Sequence, residues 1–168
     1  MPTPSTFFPG PAVQQIGYVT TDLNEAVKRY RENFGIRNFL MIPNNETTIA
    51  PGVTATIEVA LAFVKGTMIE LIQPNGGADA IYRDALPASG YVTRHHHFGY
   101  AMITEDEWAA KQREVEARGI PIVLNGEAPG VMRYQYIDVR ADIGHYLEYL
   151  YYLGEGGRQM LAAVPHND

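Results

Sequence analysis

The chain contains two copies of one pattern, and that repeat fixes what it can fold into. The first copy opens with Gln15-Ile16-Gly17-Tyr18-Val19 and passes through a helical pattern ending at Phe34-Gly35-Ile36. The second opens with His97-Phe98-Gly99-Tyr100-Ala101 and passes through another, ending at Arg118-Gly119-Ile120. Each copy closes on an apolar strand with one glutamate inside it. These are Met68-Ile69-Glu70-Leu71-Ile72 and Tyr146-Leu147-Glu148-Tyr149-Leu150. Gln15 and His97 hold equivalent positions at one end of the unit, and Glu70 and Glu148 at the other. A duplicated unit with one potential ligand at each end yields four convergent positions.

Local signals give each copy the order βαβββ. Residues 13–20 are apolar and β-branched, as in a strand. Asp22 then stands as an N-cap with Glu25 three residues on, and Leu23, Ala26, Val27, Tyr30 and Phe34 form one helical face. Gly35 ends the helix. Residues 39–42 read as a short strand before the turn residues Asn44-Asn45. Residues 54–64 and 67–73 form a hairpin about Lys65-Gly66. The second copy runs as strand 95–103, helix 105–118 and strands 121–124, 133–139 and 145–153, with residues 125–130 as a turn-rich loop. One helix per copy with antiparallel hairpins predicts an α+β fold. Residues 1–11 are expected as an arm, 12–153 as one domain of modules 12–74 and 95–153, and 154–168 as a tail. The linker over 75–94 carries a short helix over 78–86.

Composition excludes several classes. A net charge of −6 offers no basic face for phosphates, so nucleic acid is not the expected partner. There is no cysteine, which removes disulfides and thiolate metal sites. The longest apolar runs have strand length, so no membrane span is expected. Residues 1–11 carry four prolines and no basic region, unlike a signal peptide, and a cytoplasmic protein is the expectation.

Strand side chains alternate, so Gln15 shares a face with Gly17, Glu70 with Met68 and Ile72, and Glu148 with Tyr146. His97 shares one with His95 and Gly99, which sends His96 to the other face, toward the helices or a subunit contact. In both copies the residue two places after the first ligand is glycine, which leaves room for an ion or substrate. His95 and Tyr146 are the expected substrate contacts, Trp108 a core anchor and His145 structural. Two carboxylates, an imidazole and an amide oxygen suit Zn, Ni, Co, Mn or Fe(II). A lone glutamate on a half-solvated strand needs no partner. Two at equivalent places in apolar strands point to a shared cation, because buried carboxylates need one or hydrogen bonds.

These motifs resemble the vicinal oxygen chelate superfamily, which includes glyoxalase I, methylmalonyl-CoA epimerase, extradiol dioxygenases and the bleomycin and fosfomycin resistance proteins. The resemblance covers residues 12–153 and rests on Gln15-Ile16-Gly17-Tyr18-Val19 with Asp22-Leu23, Ile69-Glu70-Leu71, His96-His97-Phe98-Gly99-Tyr100 and Tyr146-Leu147-Glu148-Tyr149. It implies paired βαβββ modules forming a cupped mixed sheet, with Gln15, Glu70, His97 and Glu148 as the metal positions. Glutamine first, then glutamate, histidine and glutamate, is similar to eukaryotic-type glyoxalase I. The family's dioxygenases use two histidines and one carboxylate, and Gln15 stands where one of those histidines belongs. Glyoxalase I also has an arginine four residues after its first ligand, to hold the glutathione carboxylate; here that position is Val19.

The expected function is a metal-dependent lyase or isomerase of the glyoxalase type, moving a proton α to a carbonyl of a small-molecule substrate. By the resemblance Glu148 is the base and Glu70 returns the proton. The alternative is a drug- or metabolite-sequestering protein of the same fold, with an extradiol dioxygenase ranked lower. Open sheet edges favour a homodimer through residues 149–153 and the first strand.

Overall fold

The computed structural model describes residues 13–167, so the arm expected over residues 1–11 lies outside the described residues. The first module is β1 (Gln15–Thr20), α1 (Leu23–Phe34), β2 (Leu40–Ala50), β3 (Val53–Val64) and β4 (Thr67–Gly77). The second is β5 (Thr93–Met102), α3 (Glu105–Ala117), β6 (Ile122–Ala128), β7 (Met132–Ile137) and β8 (Tyr146–Tyr152). The connection between modules carries α2 (Ala80–Arg83), and α4 (Arg140–Ile143) joins β7 to β8. All eight strands form one mixed, curved, nearly barrel-like sheet in the order β2-β3-β4-β1-β5-β8-β7-β6. The paired βαβββ architecture is the one the repeat predicts.

The duplication is visible in the pairing. β1 runs parallel to β4 and β5 runs parallel to β8, while β1 and β5 meet antiparallel at the centre. The two modules therefore join within one chain, along their first strands. This overturns the basis for the expected dimer contact: β1 and β8 are interior strands whose edges are already paired. The outer strands β2 and β6 also approach each other. Tyr134 shares a hydrogen bond with Thr47 (2.9 Å) and its hydroxyl accepts from the Thr48 amide (3.0 Å). Gly126 makes the approach possible, since a Cβ there would lie 2.3 Å from the Thr48 carbonyl oxygen.

Capping fixes the helices. The Asp22 side chain accepts from the Glu25 amide at 2.9 Å, and Thr104 and Glu107 form a reciprocal capping box. α1 covers the outer face of its module with Leu23, Ala26 and Val27 against Ala60 and Leu71. α3 covers the other with Trp108 and Val115 against Ile137, Leu147 and Tyr149, so Trp108 is the core anchor expected. The concave face is lined by a third cluster that includes Ile57, Val59, Leu61, Ile72 and Tyr136.

Three segments depart from expectation. β2 does not stop at residue 42; Pro43 and Asn44 are absorbed in a bulge, with Asn44 at φ 49°, and pairing resumes at Asn45 opposite Ile57. β6 runs through Asn125–Ala128 because those residues pair with β7, and the turn shifts to Pro129-Gly130. The expected tail is helical, α5 (Gly154–Ala163), and its continuation is docked. Phe63 pairs with Pro165 and Asn167 through its backbone, and Val164 is buried. No helix among the described residues is long and apolar enough to cross a membrane.

Candidate metal centre

The central pairing places the four ligand candidates together. Register sets Gln15 opposite Gly99 and Gly17 opposite His97, with Glu70 beside Gly17 and Glu148 beside Gly99. Gln15 Nε2 donates to Glu70 Oε2 at 2.8 Å and to Glu148 Oε2 at 3.1 Å, and lies 3.2 Å from His97 Nε2. His97 Nε2 stands 3.3 Å from Glu70 and 3.2 Å from Glu148. Gln15, His97 and Glu148 are buried; Glu70 is half-buried.

The glycines serve a different purpose from the one expected. A Cβ on Gly17 would lie 1.9 Å from His97 Cε1, and one on Gly99 would lie 2.8 Å from Gln15 Cβ and 3.3 Å from Glu148 Oε2. Gly17 leaves space for the other module's His97, and Gly99 for the other module's Gln15 and its own module's Glu148. Added bulk at either position would push the ligands apart.

The histidine triplet also departs from simple alternation. A bulge in β5 sets Tyr18 opposite His95 and Gly17 opposite His97, leaving His96 as the extra residue. His96 and His97 consequently both turn inward and are buried. His95, expected at the rim of the site, lies on the outer face against Tyr18, Phe98 and His145. His96, expected toward the helices or a subunit contact, stands directly behind His97 in the ligand cluster.

That position has chemical consequences. His96 Nε2 is 2.9 Å from the Ile81 carbonyl oxygen, which can only accept, so this nitrogen carries the proton. Burial, chiefly, and the neighbouring His97 push the His96 pKa down to about 3, so the ring is neutral and Nδ1 is bare. His97 Nδ1, 3.0 Å away, must then donate to it. The chain from Ile81 through His96 turns His97 Nε2 toward Gln15 and the two glutamates. Burial pulls the His97 pKa down, but Glu148 and Glu70 outweigh it and raise the value to about 9. Burial raises Glu148, with His97 opposing.

Tyr146 lies on the face of Glu148 as expected, but one layer back, packed on His96 and under the Arg140 guanidinium. The tyrosines that border the cavity are Tyr82, Tyr134 and Tyr136. Tyr82 comes from the linker helix α2 and packs on His96 at 5.4 Å between ring centroids. Tyr136 pairs with Glu148 in register and packs against the His97 ring at 4.9 Å between centroids. Sequence reasoning missed His96, Tyr82 and Tyr136, because the bulge, the linker's path and the β7 register leave no mark on alternation.

Comparison with known proteins agrees with this geometry. Residues 14–136 match the Glyoxalase/Bleomycin resistance protein/Dioxygenase superfamily. The chain belongs to that superfamily. No curated protein sequence matches it. Among solved structures, a vicinal oxygen chelate enzyme, methylmalonyl-CoA epimerase from Mycobacterium tuberculosis, is similar at 17% identity and TM-score 0.56, covering 89% of this chain and 91% of that one. A hypothetical protein from Bacillus halodurans C-125 is similar at 14% identity and TM-score 0.59, covering 86% and 96%. A Streptomyces coelicolor methylmalonyl-CoA epimerase variant in complex with 2-nitronate-propionyl-CoA is similar at 16% identity and TM-score 0.56, covering 83% and 93%. At these identities the likeness is one of fold.

Members of the vicinal oxygen chelate superfamily typically bind a divalent metal, and the residues present here fit one. Ligand atoms of Glu70, His97 and Glu148 all lie within 4.8 Å of one another. Rotation of the Gln15 amide would bring its oxygen to the same centre. Two carboxylates, a neutral imidazole and an amide balance a dipositive charge.

Proposed function

We propose that this chain is a metal-dependent isomerase or lyase that moves a proton beside the carbonyl of a small-molecule substrate. The observation that carries the reading is a pair of carboxylates from opposite modules flanking one imidazole at the floor of a cavity. That cavity holds about 590 Å³, within the range of small-molecule sites. A divalent cation would be held by Gln15, Glu70, His97 and Glu148, and would stabilise negative charge developing on a carbonyl oxygen.

Glu148 takes the α-proton, and the C–H electron pair moves onto the carbonyl oxygen. Glu148 suits this role by its place, buried beside His97 at the floor of the cavity where the carbonyl end of a substrate would sit. Both carboxylates start ionised; after the abstraction Glu70 relays a proton from solvent to carbon, and Glu148 releases the one it took, so the cycle closes without net change. The Glu70 side chain is 16% exposed against 6% for Glu148, so it exchanges protons with solvent more readily.

The test is deuterium uptake from D2O into candidate 2-oxo aldehydes and acyl thioesters, with the protein loaded in turn with Zn, Ni, Co and Mn. Wild type should exchange the α-proton, and Glu148→Gln should slow exchange by about 10²–10⁴-fold while keeping most of the metal. No exchange with any metal returns the reading to a sequestering protein. Unchanged exchange in Glu148→Gln moves the base to Glu70.

A further inference from the structure

The fold resembles enzymes crystallised with acyl-CoA ligands, yet the walls of this cavity are built for a different kind of molecule. Its floor carries Glu70 and Glu148, and exposed Glu46 and Glu127 stand among its bordering residues. Next to the uncharged polar Asn45, Thr47 and Thr48 of β2, Ile57, Val59 and Leu61 from β3 and Ile72 from β4 give the walls an aliphatic side. Met132 faces them from the second module and Met160 from α5. Among the described residues no lysine or arginine borders the cavity, and residues 1–12 contain none.

The two arginines that adjoin cavity residues in sequence are already engaged. Arg83, next to Tyr82, binds Asp79 at 2.9 Å. Arg133 binds Glu105 at 2.8 Å, lies 3.8 Å from Glu127, and lines the neighbouring groove with Trp108 and Gln112. The tyrosine hydroxyls bring no positive charge to offset an anion. Burial and the nearby glutamates hold the Tyr82 and Tyr136 hydroxyls in their neutral form, and the Tyr134 hydroxyl is engaged by Thr47 and Thr48. A carboxylate or phosphate on the substrate's tail would leave water for a wall with an aliphatic side and no counter-charge. It would also pass Glu46 and Glu127, on a chain whose net charge is already −6.

We propose that the cavity selects an uncharged carbonyl compound with an aromatic or branched aliphatic tail, and rejects the same compound when its tail is anionic. This rests on the cup being the reacting site of the preceding reading. The tail would lie against Ile57, Val59, Leu61 and Met160, with the carbonyl end at Glu70 and Glu148.

The test uses the full chain loaded with Zn and a matched pair of ligands. One is 1-phenylpropane-1,2-dione; the other is its para-carboxylate, which keeps the vicinal oxygens and enolisable methyl group and adds charge only at the far end. Calorimetry should show the neutral dione bound more tightly by about tenfold or more, the effect of one unfavourable charge contact near a protein surface. Glu46→Lys should narrow that gap. Equal or tighter binding of the carboxylate to wild type overturns the proposal, as does failure of the neutral dione to bind at millimolar concentration. Deuterium uptake at the methyl group is read in the same samples. Discrimination without uptake defeats the proton-transfer reading and leaves the substrate class standing; uptake without discrimination does the reverse.

Discussion

His96 decides which nitrogen of His97 faces the ligand cluster, although it touches none of the carboxylates. The bond from His97 to His96 at 3.0 Å and from His96 to Ile81 at 2.9 Å holds one tautomer. His96→Phe keeps a ring and removes both nitrogens. Outer partners of metal-binding histidines carry about 10–100-fold in affinity, so this variant should weaken Zn binding by that factor in a chelator competition. Unchanged affinity would show that packing alone orients His97. The proton on His97 gives a second prediction. Its pKa is raised from 6.5 to about 9 in the fold, so its contribution to stability is complete below 6.5 and is lost as pH rises through 9. The metal-free protein should lose stability to urea from pH 6.5 to 9, and His97→Gln should flatten that slope. Zn affinity should rise over the same interval, because the ion displaces this proton. At this scale the sequence was informative about types and poor about directions. The repeat located Gln15, Glu70, His97 and Glu148, which the structure brings together. Alternation misplaced His95 and His96, because one bulged residue inverts the facing of everything before it.

Elements show where local preference yields to packing. Three glycines, Gly154, Gly156 and Gly157, speak against a helix after β8, and α5 forms there nonetheless. The glycines let α5 lie directly on the β6–β7 turn: a Cβ on Gly156 would stand 2.2 Å from the Gly130 carbonyl oxygen. From there the chain reaches the first module. Asn167 accepts from the Arg37 and Asn38 amides at 3.0 and 2.9 Å and donates to the Asn38 carbonyl. Asn167→Ala should therefore lower stability by about 1 kcal/mol, seen as a lower midpoint in thermal unfolding. A chain ending at residue 153 that melts with the full-length protein would show that the segment is not part of the folded unit. Helices α1 and α3 were legible, because caps and apolar spacing are properties of neighbouring residues. The ends of β2 and β6 were not, since Asn45 and Asn125 read locally as turns and become strand only through partners elsewhere in the chain.

The two modules form one molecule through a single central seam, β1 against β5. Residues 13–77 alone would expose that edge and keep only Gln15 and Glu70 of the ligand set. This fragment should show no cooperative unfolding and no tight Zn binding, whereas mixing it with residues 78–167 should restore some of both. A cooperatively folded fragment would mean that the seam adds specificity but not stability. The homodimer expectation now has to rest on outer surfaces, because the strands first assigned to it are enclosed; sedimentation at micromolar concentration measures the association directly. The seam also records how the repeat has aged. Gly17 gives way to the imidazole of the second module, and Gly99 to the glutamine of the first. A gene reassembled from two first halves would lack the imidazole, and one from two second halves would lack the amide. What began as a copy is now a counterpart, and neither half can stand in for the other.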